Sequence, residues 1–247
     1  MLKLRVFSPN TSCAPLRSIP FNQRVLLRLG STTPLISKYK YLEINTIEGV
    51  KTSGNKILMK RAFDKAGISH SEWISSSDKA SVHEFFNCHK ILIAKHKHSS
   101  KGQNIYYIDN LKSLDDLCNN INIRDFVFEK YYFFPNEYRV HVDVHHGCFY
   151  ACKKVLKQDA EVQWHKHADN SIFVLVTKKH KLPVCWENII SDCIKALKQM
   201  DLTIACFDIL CSDNSYIIVE SNTAPSLASF GITYYGNHLK KYYDTRL

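Results

Sequence analysis

Three oxygen-bearing residues near the end of the chain, Asp208, Glu220 and Asn222, have the types and spacing to hold one hard cation. They lie between Thr203 and Leu227, where two apolar runs of strand composition flank the turn-forming cluster Cys211-Ser212-Asp213-Asn214-Ser215. This pattern predicts a β-hairpin. With a three-residue loop at Ser212, Asp213 and Asn214, Cys211 pairs with Ser215 and Asp208 lies opposite Ile218. Asp208, Glu220 and Asn222 then share one face, with Glu220 diagonal to Asp208. An all-oxygen set of this kind suits magnesium. A slip of one residue would instead leave two solvated acids.

A second group is cationic. From Glu137 to His145 apolar and polar residues alternate strictly, with Tyr138, Val140, Val142 and Val144 on one face and Glu137, Arg139, His141, Asp143 and His145 on the other. A two-residue turn at His146-Gly147 pairs His145 with Cys148 and Arg139 with Lys154. Two facing cations repel unless an anion lies between them, and a phosphate would serve. Lys153 points to the other face, so Lys154 is the preferred partner of Arg139. The histidines and Asp143 on the polar face read as a solvated stripe.

The elements that must position these residues follow from periodicity and punctuation. Arg24–Gly30 is a short strand, and the first fifty residues are otherwise irregular. Ser53 caps a helix through Lys56, Ile57, Leu58, Met59, Ala62, Phe63 and Ala66 that stops at Gly67. A second helix starts at Ser77 or Asp78 and runs to Asn87. The strand Lys90–Lys95 opens into the cationic loop His96–Asn104 and returns through Ile105–Ile108, a hairpin whose lysines, serines and glycine can wrap polyphosphate. Further helices span Ser113–Asn120, Asn188–Met200 and Gly236–Tyr243, and Trp164–Asn170 is a polar loop.

Composition sets the class. The 247 residues are 45% hydrophobic and 23% charged, ordinary for a globular protein with an ample core. No run of about 18 apolar residues marks a membrane span, and Met1–Val6 is not followed by the apolar stretch of a secretory signal. Nine cysteines without a Cys-x-x-Cys pair read as buried thiols of a reducing, cytoplasmic compartment, and the histidines lack zinc-ligand spacing. The formal charge of +10 fits anionic ligands such as nucleotide, nucleic acid or acidic peptide.

In order along the chain stand Asn55-Lys56 with Ala66-Gly67-Ile68, Ile93-Ala94-Lys95, Phe128-Glu129-Lys130-Tyr131, Glu137-Tyr138-Arg139-Val140, Ala151-Cys152-Lys153-Lys154, Phe207-Asp208-Ile209-Leu210 and Val219-Glu220-Ser221-Asn222-Thr223-Ala224-Pro225-Ser226-Leu227. Over roughly residues 50 to 235 the chain thereby resembles the ATP-grasp superfamily of ATP-dependent ligases. The resemblance implies an α+β fold, two α+β subdomains gripping ATP between antiparallel sheets. It divides the chain into a reduced N-terminal segment (1–52), an N-subdomain with a phosphate-closing loop (53–128) and a C-subdomain with the metal and catalytic residues (129–247). It implies ATP and Mg2+ as cofactors, with Mn2+ as a substitute, and magnesium on Asp208, Glu220 and Asn222. Lys56 and Lys95 would contact phosphates, Ser99, Ser100 and Gly102 would close over them, and Glu129, Lys130 and Tyr131 would line the adenine slot. Glu137 would reach the ribose or support the site, and Arg139 and Lys154 would grip the transferred phosphoryl group.

The activity implied is joining a carboxylate to an amine through an acyl phosphate, with small-molecule or peptide substrates. The alternatives are a phosphotransferase on the same scaffold, or a catalytically degenerate nucleotide- or nucleic-acid-binding module. A nucleic-acid partner is the less favoured one and no membrane partner is expected. The compact chain is similar in size to stand-alone peptide-ligase-like members, including viral ones, for which the compartment would be the host cytoplasm. Three features depart from the family: Gly102 is the lone glycine of the phosphate loop, Ala168-Asp169-Asn170-Ser171 matches the usual asparagine-glycine pattern poorly, and the leading domain that helps bind substrate in larger members is reduced to residues 1–52.

Overall fold

A computed structural model describes residues 2–99, 103–164, 166 and 170–244. In chain order the elements are β1 (Leu2–Lys3), β2 (Arg5–Phe7), β3 (Pro20–Phe21), β4 (Val25–Arg28), β5 (Leu42–Ile44), α1 (Ile47–Ser53), α2 (Lys56–Ala66), β6 (Trp73–Ile74), α3 (Lys79–His89) and β7 (Leu92–His96). They continue with β8 (Ile105–Ile108), α4 (Leu111–Asn120), β9 (Phe126–Lys130), β10 (Asn136–Asp143), β11 (Gly147–Leu156), β12 (Ser171–Leu175), α5 (Trp186–Gln199), β13 (Ile204–Cys211), β14 (Tyr216–Asn222) and α6 (Ser229–Tyr243).

Two antiparallel sheets dominate. One is five-stranded in the order β12-β11-β10-β13-β14, the other four-stranded in the order β6-β9-β7-β8. Helices α2 and α5 cover the back of the first, where Met59, Phe63, Tyr138, Val140, Val142, Ile189, Leu197 and Phe207 form one buried cluster. The apolar half of the alternating β10 stripe is thus core, as its period requires. Helices α3 and α4 cover the second sheet through Val82, Phe86, Leu114 and Cys118. Among the described residues no helix is long and apolar enough to cross a membrane.

Several local expectations change. The first fifty residues are not mostly irregular: they carry the parallel sheet β2-β4-β5, the pair β1-β3 and a 3-10 helix at Thr11–Ser18. The cap of α2 is Asn55, whose side chain accepts from the amides of Ile57 and Leu58. Ser53 instead ends α1, and its hydroxyl is buried 2.9 Å from the hydroxyl of Ser221. Gly67 closes α2 at φ 62, a left-handed geometry that favours glycine. Helix α6 begins at Ser229, well before Gly236.

The stripe of His141 and Asp143 is not solvated. Helix α6, about ninety residues later in sequence, lies over it. His141 Nδ1 is 2.9 Å from the Tyr235 hydroxyl. One carboxylate oxygen of Asp143 accepts from the Tyr243 hydroxyl at 2.6 Å and lies 2.8 Å from His238 Nε2, while the other accepts the amides of His145 and His146. Burial raises the Asp143 carboxyl, but the bonds from His238 and Tyr243 outweigh it and the pKa is lowered.

Burial, helped by Arg139, takes the His141 imidazole down to about 3. An unfolded chain protonates this group near 6.5 and the folded one does not, so stability is complete above 6.5 and falls as pH drops toward 3. Between pH 7 and pH 5 His141 should account for about 2 kcal/mol of lost stability. The pH 7 to pH 5 change in unfolding free energy from urea denaturation should be smaller in His141→Gln than in the wild type by that amount, with the flatter profile in the variant.

Candidate active site

Both hairpins differ from expectation in register, because in each the turn has a different length from the expected one and a β-bulge follows it. In β13/β14 the turn holds four residues, Ser212 to Ser215, so Cys211 pairs with Tyr216 rather than Ser215. Continued regularly, that pairing would set Asp208 against Val219 and turn Glu220 to the opposite face. A bulge between Asp208 and Ile209 takes up one residue, so Asp208 pairs directly with Glu220, and Cys206 with Asn222. The expected shared face is present, by direct pairing rather than by a diagonal. In β10/β11, Asp143 pairs with Gly147, and a bulge follows between His141 and Val142. Arg139 therefore faces Cys152, and Lys154 faces Glu137. The register is two residues from the expected one, which leaves Arg139 and Lys154 on the same face but not opposite each other.

What lies between the two cations is Asp208. Strand β10 also pairs with β13, which places Arg139 directly across from Asp208. The guanidinium donates two bonds, Nε to Oδ1 and Nη2 to Oδ2, each 2.8 Å. Lys154 Nζ donates to the same Oδ2 at 2.8 Å and to Glu137 at 2.7 Å. Burial raises the Asp208 carboxyl, but Arg139 and Lys154 hold it far below the usual carboxylate range. Burial lowers both cations in turn, and Asp208 more than offsets it, so each is raised.

The opposite wall comes from β7, β9 and helix α2. Lys95 Nζ lies 3.0 Å from Glu129, and Lys60 reaches the same carboxylate at 3.1 Å. Burial pushes Glu129 up, but the two lysines bring it down to about 2. Lys56 Nζ bridges the backbone oxygen of Ser99 at 3.0 Å and Glu220 at 3.1 Å. Burial raises Glu220, but Lys56, Lys95 and Lys154 together outweigh it, so its pKa is lowered. Between the walls runs a cleft of about 630 Å3, lined among others by Lys95, Glu129, Lys154, Asp208 and Glu220, with an aromatic end that includes Tyr131 and Trp164.

Lys95, Glu129, Glu137, Lys154, Asp208 and Glu220 thus line one cleft, and Lys56 and Arg139 are ion-paired to Glu220 and Asp208 of its lining. Asn222 extends the Asp208–Glu220 face, and its amide oxygen accepts the Ala224 amide at 2.7 Å. Tyr131 lines the cleft, edge-on to Tyr107 at 5.4 Å. Lys130 lines it too, but its ammonium pairs with Glu72 on the linker before β6. Ser100 and Gly102 lie outside the described residues, as does Ala168-Asp169 of the expected asparagine motif. Sequence reasoning missed Lys60, Ser71 and Lys166, which bond to Glu129, Glu129 and Glu137 respectively. Lys60 had a signal: it lies one turn after Lys56 and next to Met59, on a helix face where a lysine must be buried or paired.

No family model matches the sequence, and no curated protein does. Solved structures do match in fold. The ATP-grasp ligase PsnB complexed with minimal precursor aligns at TM-score 0.56 and 15% identity, over 77% of this chain and 58% of that one. D-alanine–D-alanine ligase from Bacillus anthracis aligns at 0.63 and 15%, over 81% and 66%. The chain has the ATP-grasp fold. A third ATP-grasp match, N5-carboxyaminoimidazole synthase from Aspergillus clavatus in complex with ADP and 5-aminoimidazole ribonucleotide, aligns at 0.58 and 13%, over 81% and 52%. The chain spans between 52% and 66% of these three ATP-grasp proteins.

The donor set has the chemistry that suits magnesium, with Lys56, Arg139, Lys154 and the Ala224 amide bonded to its oxygens here. Its donors, Asp208, Glu220 and Asn222, are hard oxygens on one face. The Ser99 hydroxyl, beside Lys56, is buried with no hydrogen-bond partner among the described residues, as expected of a group that meets a ligand. Asp208→Ala would strand Arg139 and Lys154 in a buried site and should cost about 3–5 kcal/mol in urea denaturation. Lys154→Met should cost clearly less, since Asp208 keeps Arg139 and Glu137 keeps Lys166.

Proposed function

We propose that the chain is an ATP-dependent ligase that joins a carboxylate to an amine, releasing ADP and phosphate. The observation that carries this reading is the convergence of Arg139 and Lys154 on Asp208, in one row of the sheet with Glu220. A site that only binds nucleotide needs cations for the phosphates. Two further cations beside the carboxylates suit a phosphoryl group in transfer, where charge must be offset as bonds change.

In this reading an oxygen of the substrate carboxylate attacks the γ-phosphorus of ATP and ADP leaves. The amine then attacks the acyl carbon, phosphate leaves, and the amine gives up a proton. Arg139 and Lys154 stabilise the transferring group, while Lys56 and Lys95 hold the remaining phosphates. Asp208, Glu220 and Asn222 would hold magnesium, which when bound neutralises phosphate charge. Tyr131 and Trp164 offer aromatic surface to the base. Two of the fold matches are named ligases, which supports the general class. The structures of such proteins with Mg and ADP, or with ATP, support these cofactors.

The test is magnesium-dependent ADP release over a panel of amino acids and peptides, with hydroxylamine present as the amine. Formation of hydroxamate supports the ligase. ADP release with hydroxyl acceptors and no hydroxamate would assign a phosphotransferase, and salt-sensitive nucleic-acid binding without ATP turnover would assign a binding module. Glu220→Ala, Asn222→Ala, Arg139→Ala and Lys154→Ala should each lower turnover by roughly 100-fold or more. Full turnover in Glu220→Ala or Asn222→Ala would overturn the metal assignment.

A further inference from the structure

Lys60 is fully buried, at 0% exposure, yet charged side chains are almost never buried without a specific partner. Its ammonium has three. It donates to the Ser71 hydroxyl on the linker between α2 and β6, it pairs with Glu129 Oε2 of β9 at 3.1 Å, and it donates to the Val219 carbonyl of β14 at 3.1 Å. One atom therefore touches the linker, the four-stranded sheet and the five-stranded sheet.

Each contact leads to a residue of the cleft. The other oxygen of Glu129 lies 3.0 Å from Lys95 Nζ, so Lys60, Glu129 and Lys95 form a relay of alternating charge. Ser71 donates to the same Glu129 oxygen that Lys60 holds, which limits rotation of the carboxylate. Val219 precedes Glu220, whose carboxylate binds Lys56 one helical turn before Lys60. Strand β14 is an edge of its sheet, and α2 satisfies two of its backbone groups beside those that Ser69 and Ser53 hold: Lys60 bonds the Val219 carbonyl, and the Met59 sulfur accepts the Ser221 amide at 3.2 Å.

An apolar residue would fill the same space without the cost of burying an ion. That cost is visible: burial takes the Lys60 ammonium down to about 8 despite Glu129. What a methyl-ended side chain lacks is the ability to hold an acid of one sheet and a carbonyl of the other at once.

We propose that Lys60 is a positioning residue for the phosphate end of the cleft. Through Glu129 it fixes the ammonium of Lys95, and through the Val219 carbonyl it fixes the peptide unit that carries Glu220. The phosphate-facing lysine of one sheet and the carboxylates of the other thereby keep a single separation. This assignment rests on the nucleotide reading of the cleft and adds to it a residue that itself touches no nucleotide.

The experiment compares binding of MgADP and of adenosine to the full chain by calorimetry. Lys60→Met is read beside Lys60→Gln, which keeps a donor for Ser71 and Val219 without the charge, so that failure of one to fold leaves the other. MgADP affinity should fall roughly 10- to 100-fold, in the range seen when a supporting partner of a bound group is removed. Adenosine affinity should stay within about threefold, because Lys95 acts on phosphates and not on the base. Adding Glu129→Gln to Lys60→Gln should weaken MgADP by no more than about another threefold, as expected for two members of one relay. Unchanged MgADP affinity in the Lys60 variants would overturn the assignment, as would equal losses of MgADP and adenosine, the mark of general loosening. A wild-type chain that binds no MgADP would overturn the nucleotide reading and this assignment with it.

Discussion

Taking several ions out of water without leaving any of them alone is the constraint on which this structure depends. Asp208 is the centre of the solution. Unpaired, a carboxylate at 6% exposure would protonate rather than stay charged. Arg139 on one side and Lys154 on the other keep it ionised, and each of these is itself buried enough to require the acid. The pattern repeats at Glu129 with Lys60 and Lys95, and at Glu137 with Lys154 and Lys166. Cations and acids hold one another in place before any ligand arrives. This is the kind of preorganisation that makes electrostatic catalysis effective, since the groups need little rearrangement at the moment of reaction.

Burial of the charges is in turn a product of topology. Strands β10 and β13 are central in their sheet, so Arg139 and Asp208 have neighbours on both sides and cannot relax into solvent. Strand β14 is an edge, and α2 closes it with Lys56, Met59 and Lys60 from one helical face. The same helix packs Phe63 and Ala62 into the core behind the sheet. A short amphipathic helix thus does two jobs with two adjoining stripes, one apolar toward the core and one cationic toward the cleft.

The general form of the site was legible in the sequence because it rests on period and residue type. Alternation in β10 assigned Arg139 and Glu137 to one face, and the hairpin pattern of β13 and β14 assigned Asp208, Glu220 and Asn222 to another shared face. Register was less legible. A bulge adds a residue with no compositional signature, and both hairpins contain one. Long-range cover was illegible for a different reason. Nothing near His141 or Asp143 announces that Tyr235, His238 and Tyr243 will close over them, and an alternating polar stripe looks the same beneath a helix as beneath water. Lys60 falls between these cases, since its place on the helix was readable but its three partners come from three distant segments.

The bulge beside Asp208 works as a parity corrector for the hairpin. Side chains on a strand have only two settings, so an odd change of length anywhere between Asp208 and Glu220 would exchange them. Here the four-residue tip introduces one such exchange and the bulge cancels it. Tip and site are therefore bound by arithmetic rather than by contact: an ancestor or a designer could lengthen the turn by one residue, provided the bulge were smoothed out, and recover the same carboxylate pair. Alignments that place gaps only in the loop would misread such a relative, because the compensating residue lies inside the strand.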